Sequence, residues 1–400
     1  MEVFEVDGLR RLRFGGLIVV ALVAASCSSD GVQSTAPTDV LPTSTTAVAG
    51  QEAPTTPEST AQVIDEAFLE EQANKSLDPD RPGAVMVVVF DAAGDMEHGS
   101  VGTDPTGATP APADHFRVGS ITKTFTALTV LTLVDDGLID LDAPVTSYVS
   151  RLSIDDRITV RDALQHSSGL PDPFDVQPDL LSTLVDDPTR QWSPEDMVEL
   201  VAAGELAFQP GERFAYSNTN YTVLGVLIEE VAGQPYHEAV RQRIIDPLAM
   251  SGTYLAGFEE GPAVFGGYIG FRGTDEPLDF EFTSIATASW ASGGMVSTAR
   301  DLHNMLSALF AGEIVAQDLV GEMTANPKDG LGIWAPEWTS QTPLLGHDGR
   351  IPGAGTFLVH APETGATVFT VSNADWLRVS PATGAVAEAI GVPGVTIAAG

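Results

Sequence analysis

The chain has almost no cysteine: Cys27 stands alone among 400 residues. An internal disulfide is therefore excluded, and so is a thiolate metal cage. The seven histidines show no metal-ligand spacing. His237-Glu238 begins a zinc-protease signature, but Arg241 stands where the second histidine belongs. No Gly-x-Ser-x-Gly elbow occurs, which argues against an α/β-hydrolase, and no glycine-rich phosphate loop follows a strand. Neither a metal nor a nucleotide cofactor is expected. Basic residues are also scarce: 19 Lys and Arg face 55 Asp and Glu, for a formal net charge of −36. That balance argues against nucleic acid and anionic lipid surfaces as partners and suits a solvated, salt-tolerant surface. No internal repeat is visible, and nothing in the sequence implies a protein partner.

Long apolar runs are missing too. The stretch Gly15 to Ala25 falls short of the about 20 apolar residues of an ordinary transmembrane helix. It follows the basic residues Arg10, Arg11 and Arg13 and ends at Ala24-Ala25-Ser26-Cys27. This resembles a bacterial lipoprotein signal, with residues 1–26 removed and Cys27 lipidated. Ala24, where leucine is typical, departs from that pattern, and a plain secretory signal or an uncleaved anchor stays open. Each of these puts the protein outside the cytoplasm, tethered to the cell membrane or secreted. Residues 27–62 are rich in Ser, Thr, Pro and Ala and carry no Lys or Arg. Such a segment cannot bury enough apolar surface to fold and reads as a disordered tether. Residues 63–400 suit one catalytic domain of two lobes, with a helical lobe over about 145–289.

Chemistry concentrates in three stretches. Ser120-Ile121-Thr122-Lys123 places a hydroxyl and an amine at i and i+3, on one face of a helix that starts here. A serine hydroxyl needs a neighbouring base, and a lysine serves only when burial or nearby cations lower its pKa. Phe125, Leu128, Leu131 and Val134, at steps of three, make a desolvated helix Thr122–Val134 plausible. Lys75, Lys123 and Lys328 are the only lysines, and only Lys123 has serine three residues before it. The second stretch, Phe214 to Asn220, precedes a periodic helix Tyr221–Ala232 and can aim the Tyr216 phenol and the Asn218 amide. The third, Gly346-His347-Asp348-Gly349-Arg350, lies just before a hairpin with strands Thr356–His360 and Ala366–Ser372. Taken singly, each has a plain structural reading: a helix turn with a surface lysine, a helix cap at Asn218 or Asn220, and a polar turn at His347.

Together, in this order, the three resemble the penicillin-recognising serine hydrolases. That family holds class C β-lactamases, D-alanyl-D-alanine carboxypeptidases and esterases of β-lactamase fold, with the pattern Ser-x-x-Lys, Tyr-x-Asn, Lys/His-x-Gly. The likeness runs from about residue 62 to 375. It includes Phe116 to Thr126, Leu164-Gln165-His166-Ser167-Ser168-Gly169-Leu170-Pro171, Pro210-Gly211-Glu212 and Ala291 to Leu302. It implies Ser120 as nucleophile of an acyl-enzyme, with Lys123 and Tyr216 sharing the general-base role. It implies an oxyanion hole from the backbone N–H groups of Ser120 and Arg350, with Asn218 and Gly349 in the substrate site. His347 would assist leaving-group protonation or hold Tyr216.

The fold expected from the elements is α/β: an antiparallel sheet flanked by helices plus a mostly helical lobe, the active site between them. Gly83–Phe90 reads as a buried strand, Thr159-x-x-Asp162 as a capping box, and Ser193-Pro194-Glu195 as a helix start. Residues 236–246 and Thr383–Ile390 read as helices. The expected function is hydrolysis of an ester or amide, as an esterase or D-Ala-D-Ala carboxypeptidase-like enzyme. Relatives that bind a substrate carboxylate use Lys-Thr-Gly or His-Thr-Gly, whereas here Asp348 replaces the threonine. A class C-type β-lactamase acting on a β-lactam is the alternative, and a cell-wall-peptide or penicillin-binding lipoprotein without turnover is the alternative from another class.

Overall fold

The computed structural model of the protein describes residues 63–202, 205–270, 275–278, 283–326, 330–336, 343–390 and 396–397. The expected signal at 1–26 and the expected tether at 27–62, Cys27 included, lie outside them.

The apolar run expected as a strand forms β1, Ala84–Phe90, and every residue of it is buried. Its alternate side chains serve two cores. Met86, Val88 and Phe90 enter the larger core, and Val85, Val87 and Val89 enter a smaller one. A strand covered on both faces must be apolar at every position, which is why no alternation shows in its sequence. Fully burying each such side chain stabilises by about 1.5–3 kcal/mol. β1 pairs with β2, Met96–Gly102, an edge strand of mixed polarity (Met-Glu-His-Gly-Ser-Val-Gly) with no sequence signal of its own. The hairpin expected near 356–372 is present as β4, Ala354–Ala361, and β5, Ala366–Ser372.

His347-Asp348-Gly349-Arg350 lies just before that hairpin, as expected, and the plain reading as a polar turn falls away. The motif lies within a strand, β3, Leu345–Ile351, paired with β4 in the register Asp348 opposite Phe357. The antiparallel sheet therefore runs β2-β1-β5-β4-β3, with the motif on its other edge strand. Helix α1, Glu66–Asn74, and helix α5, Ser380–Ile390, pack against the smaller core, through Leu69, Ala73, Val386 and Ala387.

The larger core joins the sheet to the helical lobe. Helix α2, Thr122–Asp135, has every side chain from Thr122 to Leu133 buried, so its threonines satisfy their hydroxyls internally. Thr126 donates to the Ala291 carbonyl at 2.7 Å and Thr129 to the Phe125 carbonyl at 2.8 Å. Helix α3, Asn218–Ala232, ends as expected at Gly233, which takes the left-handed conformation (φ 67°). It starts three residues earlier than its apolar periodicity suggests. Thr159 and Asp162 form the expected capping box, and Ser193 caps the helix Pro194–Ala202 by accepting from the Asp196 N–H at 3.1 Å. Residues 236–246 are helical over Tyr236–Val240 and continue as a π turn over Arg241–Ile245. Helix α4, Thr283–Gly293, closes the lobe, with non-helical backbone at Trp290 (φ 33°, ψ −120°).

Candidate active site

The turn that presents Ser120 is held by backbone contact with β3. Gly119 has φ +55°, and a Cβ placed on it would lie 2.8 Å from the Arg350 nitrogen. A Cβ on Gly349 would lie 2.0 Å from the Val118 carbonyl oxygen and 3.0 Å from the Ser120 nitrogen. Both positions therefore require glycine, Gly119 by conformation and by space, Gly349 by space. Thr356 on β4 adds a hydrogen bond to the Val118 carbonyl at 2.9 Å. The result packs the main chain of the Ser120 turn directly against that of Gly349 and Arg350. A short 3₁₀ turn, Gly119–Ile121, then runs into α2, with Lys123 in its first turn.

Ser120 Oγ lies 3.1 Å from Lys123 Nζ, which donates to it as an ammonium and accepts from it as a neutral amine, and it accepts from the Tyr216 hydroxyl at 2.7 Å. Lys123 is fully buried. Its Nζ also donates to Asn218 Oδ1 at 2.8 Å and to the Ser292 carbonyl at 2.7 Å. Carbonyl oxygens accept only. A neutral amine therefore keeps its two hydrogens on Asn218 and Ser292 and turns its lone pair to Ser120 Oγ. Burial lowers the Lys123 pKa to about 7, against an opposing pull from Asp172 and Asp348. The Ser292 carbonyl lies at the C-terminal end of α4, two residues past the non-helical Trp290, where helix carbonyls lack an intrahelical partner.

Burial raises the Tyr216 phenol pKa, the Ser120 hydrogen bond works against the rise, and Asp348 and Asp172 add to it. Tyr216 retains 41% exposure, which tempers the rise, yet the phenol stays neutral across physiological pH. Its ring stacks on His166, centroids 4.4 Å apart. The Ser217 N–H donates to His166 Nδ1 at 3.1 Å, so that nitrogen carries no proton. Burial, with Lys123 and His347 nearby, drives the His166 pKa well below its ordinary value. His166 adopts φ 58°, a left-handed conformation uncommon outside glycine that asparagine, aspartate and histidine enter more readily than other residues.

Asn218 is not a loop residue. It opens α3, and Asp172 caps that helix by accepting from the Asn218 N–H at 2.7 Å and from Nδ2 at 2.8 Å. With Oδ1 on Lys123, this fixes the amide and leaves one Nδ2 hydrogen free of protein acceptors among the described residues. Asn220 lies buried inside the helix and accepts from the Ser168 hydroxyl.

His347 is brought to the site without touching its polar centre. Its Nδ1 donates to the Asp348 carbonyl at 2.5 Å, and no hydrogen bond joins it to Ser120, Lys123 or Tyr216. Burial lowers its pKa to about 4, so the ring is neutral at pH 7. The Asp348 side chain is half exposed and faces the cleft. Arg350 also lines the cleft, but its guanidinium donates to the Asp375 carbonyl at 2.6 Å. The cleft has a volume of about 690 Å³; part of its wall is apolar, formed by Phe174, Leu181, Leu184, Met197, Ile285 and Ile351, and Asp348, Arg350 and Asp375 supply charged groups.

Three parts of this site were not singled out from the sequence. His166 and Asp172 lie in or beside the 164–171 loop, whose likeness to relatives marked the segment without assigning a role. Ser292 acts through a carbonyl, which every residue has, so no side-chain pattern reveals it.

The antiparallel sheet, the helical lobe and the Ser-Lys-Tyr constellation at their junction define a serine hydrolase of β-lactamase fold. The sequence profile described as Beta-lactamase matches residues 65–389, and the chain belongs to that family. Among solved structures, a D-stereospecific amidohydrolase from a Streptomyces species is 30% identical, with a TM-score of 0.71, over 80% of this chain and 97% of that one. A D-amino acid amidase from Ochrobactrum anthropi, in complex with L-phenylalanine amide, is 27% identical, with a TM-score of 0.68, over 82% and 95%. The putative penicillin-binding protein PbpX of Bacillus subtilis is 25% identical over 212 residues, 52% of this chain and 49% of the relative. Protein flp of Staphylococcus aureus is 28% identical over 148 residues, 36% of this chain. The matched segments span 28% of flp and 49% of PbpX, well under the length of either.

Proposed function

We propose that the protein is an acyl-enzyme hydrolase of small amides and esters, close in substrate type to the D-amino acid amidases it resembles. One observation carries the reading. Ser120 Oγ is held between a buried Lys123, whose pKa is lowered to about 7, and a neutral Tyr216. Lys123 takes the serine proton as Oγ bonds to the substrate carbonyl carbon. The oxyanion rests on the Ser120 and Arg350 N–H groups, where losing one donor typically costs about 10²–10³ in rate. The C–N or C–O bond then breaks. The proton passes from Lys123 through the Tyr216 hydroxyl, which accepts one proton and releases another, to the departing atom. Water repeats the sequence and frees Ser120.

Asn218 orients the acyl part, whose side chain lies against the apolar wall of the 690 Å³ cleft. Asp348 sets the substrate charge. Two carboxylates, Asp348 and Asp375, line the cleft against the one guanidinium of Arg350, a balance that favours neutral or amine-bearing substrates over the carboxylate-bearing D-Ala-D-Ala termini and penicillins. Ser120→Ala should abolish hydrolysis of D-phenylalanine amide and of a nitrophenyl ester while leaving the melting curve nearly unchanged. Wild-type rates in that variant would overturn the reading.

We further propose an extracytoplasmic, membrane-tethered enzyme, on the strength of the basic segment, the apolar stretch and Cys27. Cys27→Ser should free the protein from membranes at unchanged specific activity. Retention in the membrane fraction after signal cleavage would count against lipidation.

A further inference from the structure

A second cavity, of about 450 Å³, adjoins the first, and Tyr216 and Asp348 line both. Ser120 and Asn218 border only the first cavity; His347 and Trp334 border only the second. Phe214, Ile333, Trp334 and Ala335 make the second largely apolar. Its volume falls within the range of small-molecule sites. The walls are fixed. Trp334 exchanges two backbone hydrogen bonds of 2.9 Å with Gly346 on β3, and its ring meets Phe357 edge-on at 5.8 Å. Gly332 has φ +74°, and a Cβ there would lie 2.3 Å from Ala127 Cβ, so its loop presses flat onto α2. Among the described residues, Asp348 is the one lining residue with a formal charge, and no described Lys or Arg borders the cavity.

We propose that this second cavity is the leaving-group subsite, built for an apolar amine or alcohol of about the size of a phenyl ring that carries no carboxylate. The proposal rests on the acyl-transfer reading above. A carbonyl under attack by Ser120 extends two ways. Its acyl arm lies with Asn218 in the first cavity. Its other arm passes Tyr216, the residue that hands over the leaving proton, and enters the second. An aromatic or branched leaving group there meets Trp334, Phe214 and Ile333. A carboxylate on the same arm would meet Asp348 with no cation among the described lining residues to offset it.

The test holds the acyl group constant and varies the amine among bases of similar strength. D-Phenylalanine methylamide, its 2-phenylethylamide and the dipeptide D-Phe-D-Phe are compared by kcat/KM, which reports acylation. The last two share the leaving ring and differ by the carboxylate. The 2-phenylethylamide should exceed both others by roughly tenfold or more. Trp334→Ala should shrink that advantage without changing the preference among acyl groups. In wild-type enzyme, 2-phenylethylamine should intercept the acyl-enzyme more efficiently than methylamine at equal free-base concentration, a reading that needs no variant to fold. Equal kcat/KM for the two amides with equal interception, or a Trp334→Ala effect on acyl preference instead, would overturn the subsite assignment while leaving the hydrolase intact. Absence of all turnover together with no fluorophosphonate labelling of Ser120 would remove the hydrolase reading and this inference with it.

Discussion

Two clusters of buried bases sit at opposite ends of the β4–β5 hairpin. At one end, Lys123 lies against Ser120, Asn218 and Ser292. At the other, His303 and His360 each bring Nδ1 to within 2.9 Å of the Thr367 hydroxyl. Burial depresses all three bases, Lys123 to about 7 and each histidine to about 4. Only the first cluster is arranged for the chemistry proposed above. Its lysine points a lone pair at a hydroxyl that also borders a cleft. The histidine rings are covered by aromatic faces, Phe90 on His303 at 4.5 Å and Phe310 on His360 at 4.9 Å, and the threonine hydroxyl they share is fully buried. A depressed pKa marks a desolvated base in both places. An accessible nucleophile within reach makes such a base catalytic.

The comparison breaks most visibly at Lys123. Lys123→Met should lower kcat/KM for amides and esters by about 10³ or more, since positioned base catalysis alone supplies about 10²–10⁴. In the wild type the active form is the neutral amine. Activity should therefore rise with pH through an apparent pKa near 7 and level above it, falling about tenfold per unit below. A profile flat from pH 5.5 to 8.5 would show that Lys123 is not the titrating base.

At the second cluster the readout is stability. His303 and His360 are protonated near 6.5 when unfolded and near 4 when folded. The unfolded chain therefore binds more protons between those values. Their contribution is fully present above about pH 7 and is lost as pH falls toward 4, by roughly 2–3 kcal/mol for each group. His303→Phe should flatten the fall of Tm between pH 6.5 and 4 while leaving kcat/KM within about twofold. An unchanged slope would place the acid-sensitive groups elsewhere, His166 and His347 first.

The smallest expected effect is at Asp348. Asp348→Thr should raise acylation by benzylpenicillin relative to neutral esters by about tenfold, near 1.4 kcal/mol. A ratio that stays put would show that this carboxylate does not set substrate charge.

How much of this was legible in the sequence follows from where each signal resides. β1 and α2 declared themselves through side chains, because burial over a whole element leaves an apolar run or a repeating step of three. Ser120, Lys123, Tyr216 and Asn218 were legible as side-chain types at fixed spacings. β2 was not, because an edge strand with one open face tolerates glutamate, histidine and glycine. The placement of His347 and Asp348 within β3 was hidden for a related reason: two flanking glycines and a charge read as a turn. The Ser292 carbonyl and the Trp290 kink belong to the backbone, and Asp172 belongs to another loop that tertiary packing brings to Asn218.

The contact between Gly119 and Gly349 separates two kinds of heritable change. Because a Cβ on Gly119 or Gly349 would run into the main chain of the facing segment, the two stretches of backbone meet there with no room for a side chain, whereas the side chains at 348 and 350 line the cleft. A lineage can trade those two residues and alter what it digests while the reacting atoms stay registered. It cannot trade the glycines. Randomised libraries at positions 348 and 350 should consequently be rich in folded members with new selectivities, whereas libraries at 119 and 349 should return glycine almost exclusively.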